Sequence, residues 1–138
     1  MKRLVSYLIL AVLPQIALSG EIYVFGTIQK IPDGCVHYAS PNRYVCREVF
    51  AQVEFHNLAY VNTLFQPYQK TTSTNIVYKT KDDDFLHQYI EEKYENGFLR
   101  IYALCKEEKC ITVATDNERG ILQWLQPHSA DLLVTGNK

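Results

Sequence analysis

The chain has 138 residues, of which 47% are hydrophobic, and its formal net charge is -1, from 14 Lys and Arg against 15 Asp and Glu. This length is sufficient to bury one hydrophobic core and is typical of a single domain. A nucleic-acid-binding surface needs clustered basic residues, and the mixed charges here form no such cluster, so no nucleic-acid partner is expected.

The first residues have the pattern of a secretory signal peptide. Lys2 and Arg3 precede a mostly apolar run over 4–18, and Ala17 and Ser19 have the spacing of a cleavage site. The run is shorter than the about 20 apolar residues that a membrane-spanning helix needs, so no membrane span is expected after cleavage. We predict a cleaved signal peptide at 1–19 and a single domain at 20–138 that is secreted or periplasmic.

Four cysteines follow the predicted cleavage site: Cys35, Cys46, Cys105 and Cys110. An even number of cysteines in an exported chain indicates disulfides, and four cysteines allow three pairings. We favour Cys35 with Cys46 and Cys105 with Cys110, because a short loop with turn residues joins each pair. The spacing lacks a C-x-x-C motif with nearby histidines, so neither a metal nor a cofactor is expected.

Hydrophobic alternation predicts three strand regions in the first half of the domain. Residues 21–31 are rich in β-branched and aromatic side chains and are expected to form one strand that ends at the turn 32–34. A second strand begins at Tyr44, and its residues 49–55 alternate between apolar and polar, as in a sheet with one solvated face. An apolar run at 59–65 and a polar loop follow, and then Asn75 to Thr80 has strand composition again.

Three carboxylates, Asp82 to Asp84, precede apolar residues at helical spacing. Side chains that accept hydrogen bonds, and negative charge, are both favourable at the start of a helix. We therefore predict a helix from about Asp84 to Glu95, which Asn96-Gly97 ends. Contiguous aspartates do not have the ligand spacing of an EF-hand, so helix capping is favoured over calcium binding.

The second half is expected to contain a hairpin. Apolar strands at 98–105 and 110–115 flank the charged residues 106–109, which places Cys105 opposite Cys110. Both faces of these strands are apolar, so the hairpin should lie centrally in the sheet. Asp116 is expected to cap a short helix through Leu125, and 131–135 is a candidate edge strand.

The predicted order is β-β-β-α-β-β followed by a short helix. This order predicts a β-rich α+β domain with two disulfides, either a small five-stranded OB-like barrel or a strongly twisted sheet with one packed helix. In layout it resembles the secreted OB-fold B subunits of bacterial toxins, which share a signal peptide, a disulfide and this order. The resemblance implies a ring-forming homo-oligomer.

The sequence contains no catalytic motif. G-x-S-x-G, H-E-x-x-H and glycine-rich phosphate loops are all absent, and the histidines are scattered: His37, His56, His87 and His128. The acidic residues are accounted for by a solvated strand face and a helix cap. No enzyme is therefore predicted, and a hydrolase built on His56 or His87 is the weakest hypothesis.

The aromatic content is high, with ten tyrosines and one tryptophan. Tyrosine is common at binding surfaces because its ring gives a large contact area with few torsions to immobilise. Four tyrosines near predicted turns are the candidate binding residues: Tyr38, Tyr44, Tyr60 and Tyr68. The alternative is that they pack on the sheet, as Tyr23, Tyr78 and Tyr102 are expected to do.

The leading hypothesis is a secreted, non-enzymatic binding domain that recognises an extracellular glycan or protein through these tyrosines. The alternative is an inhibitor or accessory protein of an extracellular enzyme. In that case the Cys105–Cys110 hairpin, with its Lys-Glu-Glu-Lys tip, is the inserted element.

Overall fold

The computed structural model describes residues 20–39 and 42–133, and the predicted signal peptide lies outside these ranges. Neither helix of the described part is long and apolar enough to cross a membrane. In chain order the elements are β1 (Glu21–Val24), β2 (Thr27–Lys30), β3 (Cys35–Tyr38), β4 (Arg43–Cys46), β5 (Ala51–Asn57), α1 (Leu58–Phe65), β6 (Asn75–Lys81), β7 (Leu86–Tyr94), β8 (Gly97–Lys106), β9 (Lys109–Thr115) and α2 (Glu118–Leu125).

Seven strands form one antiparallel sheet in the order β3-β4-β5-β9-β8-β7-β6, and β1 and β2 form a separate hairpin. Strands β3 and β6 lie at opposite edges, so the sheet is open and the predicted barrel is not formed. The layout resemblance to OB-fold B subunits depends on the barrel order, and the structure does not support it. The β-rich class with helices and two disulfides is confirmed.

The predicted helix over 84–95 is wrong, because residues 86–94 form β7, which pairs with β6 and β8. Asp82 caps a turn instead: its Oδ1 accepts hydrogen bonds from the N–H groups of Asp84 at 2.9 Å and Phe85 at 2.7 Å. Most of β7 is buried on both faces. A strand of this kind has apolar residues on consecutive positions, a pattern that periodicity alone does not distinguish from a buried helix.

The predicted single strand over 21–31 is interrupted by a tight turn. β1 and β2 pair across Phe25 and Gly26, whose φ angles are 53° and 78°. Two left-handed residues in a two-residue loop are typical of type I′ hairpin turns, which match the twist of the flanking strands. The turn folds β2 back on β1, so the segment forms a compact hairpin instead of a strand of the large sheet.

The central hairpin β8–β9 is confirmed in its register. Cys105 pairs with Cys110 and forms a disulfide with it, while Leu104 faces Ile111 and Tyr102 faces Val113. The turn is tighter than predicted, because Lys106 and Lys109 also pair and leave only two residues between them. The other disulfide joins Cys35 to Cys46 across β3 and β4, so the favoured pairing is correct.

Alternate residues of the sheet point to two faces, each with its own apolar cluster. On one, named here the α2 face, α2 and the β1–β2 hairpin complete the main core with the fully buried Trp124, whose indole N–H donates to Cys46 Sγ at 3.3 Å. On the other, the α1 face, Val61 and Phe65 of α1 pack on the central strands. The hairpin β8–β9 is therefore covered on both faces, as predicted.

The C-terminal segment differs from prediction in two details. Asn117, not Asp116, caps α2, because its Oδ1 accepts the N–H of Gly120 at 3.2 Å. The candidate strand over 131–135 is wrong where the structure describes it, since 131–133 is irregular and the buried Leu132 packs into the core. Residues 134 and 135 lie outside the described residues.

Removal of either disulfide by paired Cys→Ala substitution is expected to destabilise the fold. The half-cystines are 11 residues apart for Cys35–Cys46 and 5 apart for Cys105–Cys110. Loop entropy alone then predicts losses of about 3 and about 2 kcal/mol. The loss of Cys46 also leaves the buried Trp124 N–H without its acceptor, so removal of Cys35–Cys46 should cost still more stability than removal of Cys105–Cys110. Urea unfolding of the two double variants tests this order, and the reverse order would contradict it.

Candidate functional site

The α1 face is only partly covered. Helix α1 packs on residues of β7, β8 and β9, whereas the α1-face side chains of β3, β4 and β5 are half-buried or exposed. We name this uncovered area the open face. Its principal side chains are Val36, Tyr38, Arg43, Val45, Gln52, Glu54 and His56.

A row of polar and aromatic side chains crosses the open face. Tyr38 lies opposite Arg43 in the strand register, and Arg43 lies opposite Glu54. The Arg43 guanidinium is 5.2 Å from the centroid of the Tyr38 ring, which is a cation–π contact. Its Nε is buried and has no hydrogen-bond partner among the described residues. Since buried polar groups are almost always paired, this atom marks a place where water or a ligand is needed.

Glu54 continues this row of side chains along β5. One carboxylate oxygen accepts a hydrogen bond from Gln52 Nε2 at 3.0 Å, and the other lies 3.1 Å from His56 Nε2. The His56 ring stacks on Tyr60 of α1, with the two ring centroids 3.9 Å apart. The open face therefore has an exposed tyrosine at each end of a charged and hydrogen-bonded row.

An apolar cleft of about 550 Å³ adjoins the other end of β5, and Phe50 stands at its border. The Phe50 side chain is 72% exposed, and its backbone has a φ of 48°, in the left-handed region. The cleft is lined mainly by Val45, Arg47, Gln52, Leu99 and Ala114 together with Phe50.

The structure brings together two of the four predicted tyrosines. Tyr38 (42% exposed) and Tyr60 (48% exposed) flank the open face. Tyr44 lies on the opposite face, in the core, where it contacts Trp124 and stacks with His37; burial raises its pKa. Tyr68 lies far along the sheet near β6 and β7.

The placement of these tyrosines in turns is corrected for three of them. Tyr38 and Tyr44 belong to strands and Tyr60 to α1, and only Tyr68 is in a loop. Tyr68 donates a hydrogen bond from its hydroxyl to Glu92 at 3.1 Å. Burial and that carboxylate raise the pKa of Tyr68. Their binding roles remain predictions.

A buried network surrounds His87, which is 1% exposed. Its Nε2 donates to Asp82 at 2.7 Å, and its Nδ1 accepts from the Tyr102 hydroxyl at 2.6 Å. The Tyr102 oxygen accepts the N–H of Leu133 at 3.1 Å, and burial raises the pKa of Tyr102 to about 12. A carboxylate, an imidazole and a hydroxyl in a row are typical of hydrolytic triads. Here the hydroxyl is fully buried, so the network holds the C-terminal segment on the sheet.

Within residues 20–39 and 42–133, no group of three or more His, Cys, Asp or Glu side chains could hold a metal ion. The comparisons with known proteins add no family to this description. Neither a family model, nor a curated protein, nor a solved structure matches the chain.

One residue of this surface, Phe50, could have been identified from the sequence by its position in the strand alternation. In the predicted alternation of 49–55, Phe50 falls with Gln52 and Glu54 on the solvated side. A single exposed aromatic residue is common on protein surfaces, so Phe50 is of interest because it also borders the apolar cleft. Arg43 could not be identified in this way, because only the strand register places it between Tyr38 and Glu54.

Asp82→Asn is expected to destabilise the protein at neutral pH by about 1 kcal/mol or less, because the buried His87 N–H then faces a neutral amide and the 38% exposed Asp82 side chain is partly screened by solvent. Hydrogen bonds from His87 and from two backbone N–H groups lower the pKa of Asp82. The stabilisation is therefore complete above the ordinary aspartate pKa of about 3.9 and is lost as the pH falls through the lower folded value.

Urea unfolding of wild type and Asp82→Asn between pH 7 and pH 2 measures this effect. The difference between them should shrink below about pH 4. Asp84→Asn, at an exposed position in the same turn, is the matched control and should follow the wild type. A difference between wild type and Asp82→Asn that stays constant down to pH 2 would contradict the assignment.

Proposed function

We propose that the chain is an exported, non-enzymatic recognition domain that binds a protein partner through the open face. The observation that carries the proposal is Phe50, which combines 72% exposure with a left-handed backbone beside an apolar cleft. The two disulfides are compatible with an extracellular location.

The Phe50 backbone is in the left-handed region, which Phe25 and Glu107 also adopt in turns of this chain. A left-handed backbone is unfavourable by about 1–2 kcal/mol for a residue with a side chain. The preceding residue is held in place, because the Val49 carbonyl accepts hydrogen bonds from Thr115 Oγ1 at 3.2 Å and Asn117 Nδ2 at 2.7 Å. Strain that the surroundings enforce in this way is concentrated at functional sites. Here it supports a role for the ring as an anchor for a partner.

The open face and the flanking Tyr60, toward the other end of β5 from Phe50, have the composition of a protein interface. Binding energy at such interfaces comes largely from aromatic residues and arginine, which the open face has in Tyr38, Arg43 and Tyr60. From Phe50 to His56 the strand extends about 20 Å, and β3 to β5 span about 10 Å. An apolar cleft at one end and a hydrogen-bonded charged row at the other favour a protein over a flexible sugar chain on this surface.

The alternative in which the Cys105–Cys110 hairpin inserts into an enzyme has less support. The carbonyl of Glu108, at the hairpin turn, accepts the N–H of Leu58 at 2.9 Å. The Lys106 ammonium lies 5.9 Å from the Phe85 ring centroid. These contacts hold the tip against the domain, so the open face is the better candidate for the contact surface.

Phe50→Gly is expected to raise the stability by about 1 kcal/mol while it weakens partner binding. Glycine adopts the left-handed region without a steric penalty, and the exposed ring contributes little packing to the free domain. A central aromatic anchor is worth about 2 kcal/mol or more, or about 30-fold in affinity. Urea unfolding measures the first effect. A loss of stability in Phe50→Gly would show that the ring serves the fold.

The binding proposal is tested by site-specific photo-crosslinking in cells that secrete the full chain. Benzoylphenylalanine replaces Phe50 in one variant and Tyr78 in a control variant, since Tyr78 is 38% exposed on β6, the edge strand farthest from β3. We expect one discrete protein adduct for position 50, absent at position 78 and reduced when Arg43→Ala is added. Identical adducts at both positions, a product with twice the mass of the chain, or no adduct at position 50 would contradict the proposal.

A further inference from the structure

A second, separate pocket lies on the α1 face at the other side of α1. It has a volume of about 250 Å³ and lies between the C-terminal end of α1, the loop that follows it, and strands β6 and β7. This is smaller than the clefts of about 300–1,000 Å³ that hold drug-sized ligands. The side chains that matter for its chemistry are those of Asn62, Phe65, Tyr68, Gln69, Lys79 and Gln88.

Gln88 is the residue in this pocket that the fold does not explain. Its side chain is 5% exposed, and its Nε2 is buried without a hydrogen-bond partner in the described part of the chain. In the strand register Gln88 lies between Ala103 and Lys79, and neither of these side chains has a hydrogen-bond acceptor. A buried unpaired amide is destabilising, and an apolar residue of the same size would be preferred if the site served only the fold.

The other pocket residues indicate which ligand chemistry would suit the Gln88 amide. Asn62 and Gln69 add two more amides, and amide groups both donate and accept hydrogen bonds, as sugar hydroxyls do. The half-buried Tyr68 provides an aromatic ring on which the C–H face of a pyranose can pack, while the buried Phe65 forms the apolar base of the pocket. Rotation of the Gln88 amide about its last torsion exchanges donor and acceptor, so it can serve either need of a hydroxyl.

The pocket is held in shape before any ligand binds. The backbone N–H of Tyr68 donates a hydrogen bond to the Phe65 carbonyl at 2.9 Å, and its hydroxyl donates one to the Glu92 carboxylate at 3.1 Å. Further along the loop, Thr71 Oγ1 accepts the N–H of Val77 at 3.1 Å and thereby ties the loop to edge strand β6. A pre-formed site loses less entropy on binding, which is important for a ligand as small as one sugar residue.

We propose that this pocket binds a single neutral pyranose residue, through the Gln88, Gln69 and Asn62 amides and the Tyr68 ring, with Phe65 as the apolar base of the pocket. The site is independent of the open face, because α1 lies between the two surfaces. It assigns the domain a glycan-binding activity in addition to the protein contact proposed above. Each can fail without the other.

The test uses the full chain as secreted, with ¹⁵N labelling, titrated with the methyl glycosides of glucose, galactose and mannose and with N-acetylglucosamine. We expect at least one of these sugars to shift the side-chain amide signals of Asn62, Gln69 and Gln88 in a saturable manner. In Gln88→Met the affinity should fall at least tenfold, while the urea midpoint is unchanged or higher because an unpaired amide has been removed. Gln69→Ala, at an exposed position, provides a second variant that leaves the core intact.

Gln123→Met is the matched control, since it is the same substitution at an exposed position of α2, on the opposite face of the sheet. It should bind the sugar as the wild type does. The proposal is overturned if none of the four sugars shifts these amide signals, or if the shifts persist in both Gln88→Met and Gln69→Ala. A sugar response that Gln123→Met abolishes and Gln88→Met leaves intact would also overturn it.

Discussion

The central hairpin β8–β9 has apolar residues on both faces, and the need to cover both determines the rest of the structure. On the α2 face, α2, the β1–β2 hairpin and the segment around Leu132 together complete the core. On the α1 face the only helix within residues 20–39 and 42–133 is α1, with eight residues. A helix of that length extends about 12 Å, whereas seven strands span about 30 Å. The unequal cover leaves β3, β4 and β5 open on the α1 face.

The two candidate sites follow from this geometry. The helix divides the α1 face into the open face on one side and the small pocket around Gln88 on the other. Each contains a buried polar atom that has no hydrogen-bond partner among the described residues, Arg43 Nε and Gln88 Nε2, as do Asn75 Oδ1 and Arg100 Nε elsewhere in the domain. The His87 network shows the contrast, because both ring nitrogens are hydrogen-bonded and the Tyr102 hydroxyl is sealed from solvent. We therefore assign that network to stability, and we propose a binding role for Arg43 and Gln88 because each also lies at a candidate site.

Local sequence patterns predicted part of this fold and part of the site. The disulfide pairing and the β8–β9 register follow from short-range spacing, which the sequence contains directly. The segment 86–94 was beyond such reasoning, because its capping aspartate and buried apolar residues fit a helix equally well, and only pairing with β6 and β8 selects a strand. Tyr38 and Tyr60 could be proposed from composition, but the burial of Tyr44 depends on the distant Trp124.

Hydroxyl-radical footprinting of the protein, free and bound to its purified crosslinking partner, tests directly whether the partner covers the open face and Phe50. It reports the solvent exposure of every aromatic side chain in one experiment. We expect the oxidation of Tyr38, Phe50 and Tyr60 to fall strongly on binding, while the exposed Tyr78 on the far edge strand β6 serves as the internal control and stays unchanged. Protection of Tyr78 with Phe50 still fully reactive would contradict the proposed binding surface.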